Sequence, residues 1–202
     1  LQVRGTPASG KTTLALLLAQ HIHQQEPAVH TIYIPIWPLQ DVEAIGGWQF
    51  YLRQKYGWVP GKKTVFIFDE AQTTYEDYSL WDEFIKNIQA YNDRFAIALA
   101  SYGSPSSRIR IAGLPVVVGD WQRVTLHQIN LDGLGSVGLF FSQTEFEDLV
   151  YKKFALARHY FDPSFLKVVF EVTGGHVGAI NGFLGAIVDH DVRFFMMSDH
   201  IT

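Results

Sequence analysis

Eight residues near the start of the chain restrict its fold more than any other stretch. Gly5-Thr6-Pro7-Ala8-Ser9-Gly10-Lys11-Thr12 satisfies the pattern G-x-x-x-x-G-K-[ST], and the residues on either side decide whether the pattern has structural content. Before it, Leu1 to Arg4 is a short apolar-leaning run. After it, Leu14, Leu17, Leu18 and Ile22 recur at helical spacing as far as about Gln25. The prediction is strand, glycine-rich loop, helix, a unit that belongs in an α/β fold with a parallel sheet. The first strand begins at Leu1 itself, so the chain is expected to be a piece of a longer protein.

The residues that follow keep that alternation. Thr31 to Ile36 is β-branched and aromatic, broken by Pro35 and Pro38, and reads as a second strand. Trp48 to Tyr56 places Trp48, Tyr51, Leu52 and Tyr56 on one helical face before Gly57. Thr64 to Phe68 is apolar without alternation, as expected of a strand covered on both faces. Leu80, Trp81, Phe84, Ile85, Ile88 and Tyr91 form a helical stripe, and Phe95 to Ala100 is another buried-strand run.

Beyond Pro105, three segments compete for the fifth strand: Val116 to Val118, Arg123 to Ile129 and Val137 to Phe141. The last is the expected one. Ser142 and Glu145 match a capping box for a helix to about His159. Asp162-Pro163 should open a helix to about Val172, and His176 to Val188 a last one after Gly174-Gly175. The chain therefore divides into an α/β core, residues 1–142, and a small helical lid, residues 143–202.

The loop carries chemistry as well as geometry. Glycines allow backbone N–H groups to converge on a phosphate, and the helix starting near Lys11 adds the positive end of its dipole. Pro7, Ala8, Ser9 and Thr13 complete the cradle, Lys11 would reach the β- and γ-phosphates, and the Thr12 hydroxyl would coordinate Mg²⁺. The pattern is that of a P-loop.

The run Phe66-Ile67-Phe68-Asp69-Glu70 delivers two adjacent carboxylates at the C-terminal end of a strand, the edge where open α/β sheets bind ligands. Asp69 fits the metal-side carboxylate. Glu70 fits the group that orients and deprotonates an attacking water.

The Asp-Glu pair, with one strand between it and the P-loop strand, resembles the additional-strand, catalytic-glutamate division of P-loop ATPases that contains AAA+ and STAND proteins. Within that division, Val3 to Thr13, Gly46-Gly47-Trp48, Thr64 to Gln72, Ala100 to Ser104 and Gly138 to Ser142 resemble the NTPase domain of fungal Crinkler-type proteins. The resemblance implies ATP and Mg²⁺ as ligands, a sheet order of 5-1-4-3-2 and nucleoside-triphosphate hydrolysis. It further implies a nucleotide switch within a longer effector-like protein, intracellular or host-nuclear, whose flanking domains are its partners.

By the same resemblance Ser101 falls at the sensor position, with Ser104 as runner-up, and the Gly-Gly-His-x-Gly segment around His176 belongs to a lid that faces the nucleotide. Arg108, Arg110 and Arg123 occupy the region where AAA+ proteins place an arginine acting on a neighbouring subunit of an oligomer. Solvated surface arginines are the competing reading. Without a fixed arginine, turnover should be slow.

Composition narrows the rivals. Sixteen Lys and Arg against twenty Asp and Glu give a net charge of −4, which argues against a broad nucleic-acid-binding surface. With zero cysteines there are no disulfides or thiolate metal sites. His21 and His23, two apart on a helix, make a poor metal pair. The five tryptophans fall at core spacing. No apolar stretch approaches the roughly 20 residues of a membrane span. Two other functions stay open: a P-loop kinase acting on a small molecule, against which stands a tail holding only Arg158 and Arg193, and a scaffold that binds ATP without turnover.

Overall fold

A computed structural model describes residues 1–101, 118–127, 129–131, 135–155 and 161–198. Its centre is a sheet of five parallel strands: β1 (Gln2–Arg4), β2 (His30–Ile34), β3 (Thr64–Phe68), β4 (Arg94–Ala100) and β5 (Arg123–Val124). Across the sheet they lie in the order β2-β3-β4-β1-β5.

Parallel strands need crossovers, and helices supply them. Helix α1 (Lys11–Gln25) joins β1 to β2, while α2 (Leu39–Ile45) and α3 (Trp48–Tyr56) join β2 to β3. The link from β3 to β4 is irregular: turns of 3-10 helix at Ala71–Thr74 and Ile88–Ala90 flank a π-helical turn at Leu80–Ile85. The expected stripe is still buried at Leu80, Trp81 and Phe84. Its wide spacing is met by a π turn, in which Lys86 N–H donates to Trp81 O, instead of a regular helix.

Strand alternation sorts the core into two faces. Phe66 and Phe68 join Ile32, Ile34, Trp37, Trp48, Trp58, Trp81 and Phe84 on one side. Val65 and Ile67 join Val3, Ala15, Leu99 and Val124 on the other, under α1. Because β3 has a covering layer on both faces, all five of its residues are buried.

Counted from the β5 edge the order is 5-1-4-3-2, but the edge strand is not the expected one. It is the two-residue Arg123–Val124, in register with Gln2 and Val3. Val137 instead ends β7 (Gly135–Val137), paired antiparallel with β6 (Ile129–Leu131) in a separate hairpin. The apolar run after it has a different use: Leu139 is buried against the α1 face, and the half-buried Phe141 packs against the tail helices. The run connects two cores and does not lengthen the sheet.

The tail holds α4 (Gln143–Lys153), α5 (Pro163–Thr173) and α6 (Val177–Ser198), with a cluster of their own that includes Phe146, Phe161, Val169, Ile180 and Leu184. Ser142 and Glu145 close the capping box reciprocally, and the Asp162 side chain accepts from Ser164 N–H with Pro163 in the first turn. Three boundaries differ from expectation. Helix α4 ends at Lys153 and not near His159, α6 continues past Val188 to Ser198, and β2 stops at Ile34, before Pro35. Ser104, Arg108, Arg110, Arg158 and Val116-Val117 lie outside the described residues. Among those described, no helix is long and apolar enough to cross a membrane.

Candidate functional site

The site begins where β1 ends. Gly5 N–H donates to Ala100 O at 3.2 Å, tying the start of the glycine-rich loop to the neighbouring strand. A Cβ on Gly5 would collide with the Ser9 hydroxyl and Leu139, so the tight turn needs glycine. Ser9 is packed beneath the loop, and its buried hydroxyl has no hydrogen-bond partner. Gly10 caps α1 at φ 90°, a left-handed conformation that glycine adopts without strain, and the first N–H groups of the helix have no partner within it.

Lys11, the first residue of α1, is 5% exposed. Its ammonium donates to the carbonyls of Gly5 at 3.1 Å and Thr6 at 2.8 Å. Burial pulls its pKa below the ordinary lysine value, and the charges of Glu70 and Asp69 oppose that shift. The lysine therefore lies within the field of both carboxylates although 58 or more residues separate them in the chain.

At the end of β3, Asp69 is buried and both its oxygens are engaged. Oδ2 accepts from the Tyr33 hydroxyl at 3.0 Å, and Oδ1 accepts from Glu70 N–H at 3.0 Å. Burial first, then the hydrogen bond to Asp69 and the charges of Asp69 and Glu70, push the Tyr33 phenol up to about 12. Glu70 turns outward through a left-handed backbone at φ 45° and shares its carboxylate with the Gln72 side-chain amide. The other end of that amide, Oε1, accepts from Ser101 N–H at 3.1 Å.

These groups share a cavity of about 640 Å³ at the C-terminal edge of the sheet. Lys11 enters it after β1, Ser101 at the end of β4 and Glu70 at the end of β3. Pro7, Ala8, Gly10, Thr12 and Thr13 form its loop side. Ala8 and Glu70, the two non-glycine residues with positive φ among those described, both line it. Backbone strain concentrated in this way is characteristic of functional sites. A smaller cavity of about 460 Å³ between α4 and α5, lined by Phe146, Val150 and Leu166, has no comparable convergence.

The tail closes one wall through Val177, Gly178 and Asn181 of α6. His176 caps that helix, its Nδ1 accepting from Ala179 N–H at 3.2 Å. In the neutral ring the proton then sits on Nε2, which donates to Thr6 Oγ1 at 2.9 Å. Gly178 lies so close to the loop that a Cβ there would come within 2.5 Å of Ala8 Cβ.

The structure thus gathers Lys11, Thr12, Thr13, Glu70 and Ser101 around one cavity, with Thr6 and His176 joined at its rim and Gly5 and Ser9 shaping the loop beneath. Asp69 sits behind Glu70. Arg123 opens β5 opposite Gln2 and is not among the cavity's lining residues. Sequence reasoning missed Tyr33, Gln72 and Asn181. Gln72 follows Glu70 by two positions, and that proximity was the only available signal.

Compared with known proteins, the chain matches no protein-family model. No curated protein matches it either.

Proposed function

We propose that the chain is a P-loop NTPase of the additional-strand, catalytic-glutamate type that binds ATP with Mg²⁺ and hydrolyses it. One observation supports this reading above the others: Lys11, Ser101 and Glu70 arrive from three adjacent strand ends at one cavity, beside a helix N-terminus. A phosphate chain seated there would take the Lys11 ammonium from two neutral carbonyls, since a charge-assisted bond to an anion is roughly twice as strong. The dipole of α1 and the N–H groups of its first turn favour the same anion.

Thr12 offers a hydroxyl oxygen to the cavity, and Asp69, whose oxygens already accept from Tyr33 and Glu70 N–H, would act on Mg²⁺ through water; both are the hard donors that ion prefers. Among the described residues no group of three or more His, Cys, Asp or Glu side chains is placed to hold a metal ion. Mg²⁺ bound with a nucleotide commonly takes one or two protein oxygens together with substrate phosphates and water. Bound there, the ion would neutralise charge on the β- and γ-phosphate oxygens. Glu70 accepts the proton of the attacking water, and Ser101 holds the γ-phosphate side of the cavity.

The loop contacts of the tail support a switch. Thr6 bonded to His176 and Ala8 packed on Gly178 link the phosphate loop to the lid, residues 143–202, so the occupant of the loop sets the position of α6. Through it, nucleotide state would pass to flanking domains of a larger protein.

Measured with Mg²⁺ and labelled ATP, Lys11→Ala is expected to abolish binding. Glu70→Gln should bind as the unaltered chain does and lose about 10²- to 10⁴-fold in hydrolysis, the usual contribution of a general base. Phosphate release at the unaltered rate by both variants overturns the reading.

A further inference from the structure

Gln72 has both ends of its side chain committed. Nε2 donates to Glu70 Oε2, and Oε1 accepts from the backbone N–H of Ser101, 29 residues away and just past the end of β4. The two partners leave the amide a single orientation, because a carboxylate can only accept and an N–H can only donate. It therefore bridges the ends of β3 and β4, and the bridge forms part of the cavity wall.

The backbone needs such a tether. Glu70 sits at φ 45°, outside the ordinary helical and extended regions, at the start of a 3-10 turn. Its neighbour Asp69 is fixed by Tyr33 and by Glu70 N–H, whereas the only hydrogen bond described for the Glu70 carboxylate is that from Gln72. A carboxylate on two rotatable side-chain bonds beyond Cβ, facing an open cavity, has many rotamers, and a general base must occupy one of them.

We propose that Gln72 is a positioning residue for hydrolysis: it holds the Glu70 carboxylate in register with the end of β4, so that general base and Ser101 stay in a fixed relation to the γ-phosphate. This rests on the reading of Glu70 as the base. The amide does not touch the reacting atoms and acts through Glu70. The same bridge gives Ser101 a route to Glu70, since any shift of the β4 end on phosphate contact displaces Oε1 and with it Nε2.

Two variants separate this role from a merely structural one. Gln72→Met keeps the length and unbranched shape of the side chain without donor or acceptor, and Gln72→Glu keeps acceptors without a donor. In the full chain with Mg²⁺ and ATP, each should lower kcat about 10²-fold, the cost of a misplaced catalytic group, while ATP affinity stays within about twofold. In a Glu70→Gln background, where the base is already lost, adding Gln72→Met should slow single-turnover phosphate release no further. Unaltered kcat in either variant, a loss expressed in ATP affinity, or losses that multiply in the double variant would overturn the proposal. If Glu70→Gln itself hydrolyses normally, the reading of Glu70 as the base fails instead, and the two failures are told apart by that single variant.

Discussion

The two faces of the sheet are built from different residues and serve different ends. One carries Trp37, Trp48, Trp58, Phe66, Phe68 and Phe84, whose rings meet at 4.9 to 6.4 Å. The other is aliphatic and small: Val3, Ala15, Val65, Ile67 and Leu99 under α1. Ala15, at 0% exposure, lets that helix lie close to the strands, which brings Lys11 to the strand ends. Large rings bury the most area per residue and supply stability, whereas small ones allow close approach and supply geometry. Stability and chemistry should therefore respond to different substitutions.

The largest expected effect is on the aromatic face. Phe84 is fully buried, with its ring 4.9 Å from Trp48 and 5.1 Å from Phe66. Phe84→Ala should cost about 3–5 kcal/mol through lost burial and the cavity left behind, against a total for a domain of about 5–15 kcal/mol. Urea denaturation would read this as a lower midpoint. ATP affinity, measured well below that midpoint, should change little. Equal losses in stability and affinity would break the comparison.

An intermediate effect is expected where the tail meets the loop. In Gly178→Ala the added methyl would lie 2.5 Å from Ala8 Cβ and 2.7 Å from Ala8 O, neither of which can rotate away. Helix α6 must shift, at about 1–3 kcal/mol for overpacking, and ATP affinity should fall with it because Ala8 lines the cavity. The same helix supplies its own control. At Gly182 and Gly185 a Cβ meets nothing within 4 Å, so alanine there should be neutral or stabilising by up to about 1 kcal/mol, the difference in helix propensity. Affinity loss in all three variants would point to the helix as a whole and not to the contact.

The same division explains what could be read in advance. Helix α3 and strand β3 run over the expected residues because their signals are local: apolar spacing, a glycine after Tyr56, and an unbroken apolar run. The capping box at Ser142 and the Asp162-Pro163 start are local as well. Helix α2 escaped notice because its seven residues bury only Val42, too little for a periodic stripe. The edge strand was misassigned because a two-residue strand has no period, while Val137 to Phe141 is apolar for the sake of two separate cores. In the site, the loop and the Asp-Glu pair were legible as contiguous motifs. Tyr33 and Gln72 were not, since each matters through a hydrogen bond to another segment that exists only once the strands are adjacent.

Tyr33 gives the smallest and sharpest test. It is an aromatic ring packed on the aliphatic face, and its hydroxyl holds Asp69. If rings serve only as packing, Tyr33→Phe should be silent. If the hydroxyl is the point, the variant loses about 1 kcal/mol for one hydrogen bond at neutral pH and changes its response to alkali. The sign follows from the raised pKa. The phenol titrates about 12 in the folded chain against an ordinary 10.0, so between these values the unfolded chain has released a proton that the folded one retains. Stability is fully present below pH 10.0 and is lost as pH rises through about 12. Tyr56, raised to about 12 by burial and its bond to Tyr51, adds a parallel loss. Tyr75, pushed up by burial, adds another. Tyr33→Phe removes one of these contributions, so urea midpoints compared at neutral pH and at high pH should fall less steeply in the variant than in the unaltered chain. Identical slopes together with an unchanged midpoint at neutral pH would mean that the Tyr33 hydroxyl does not hold Asp69, and the ring would then belong with packing alone.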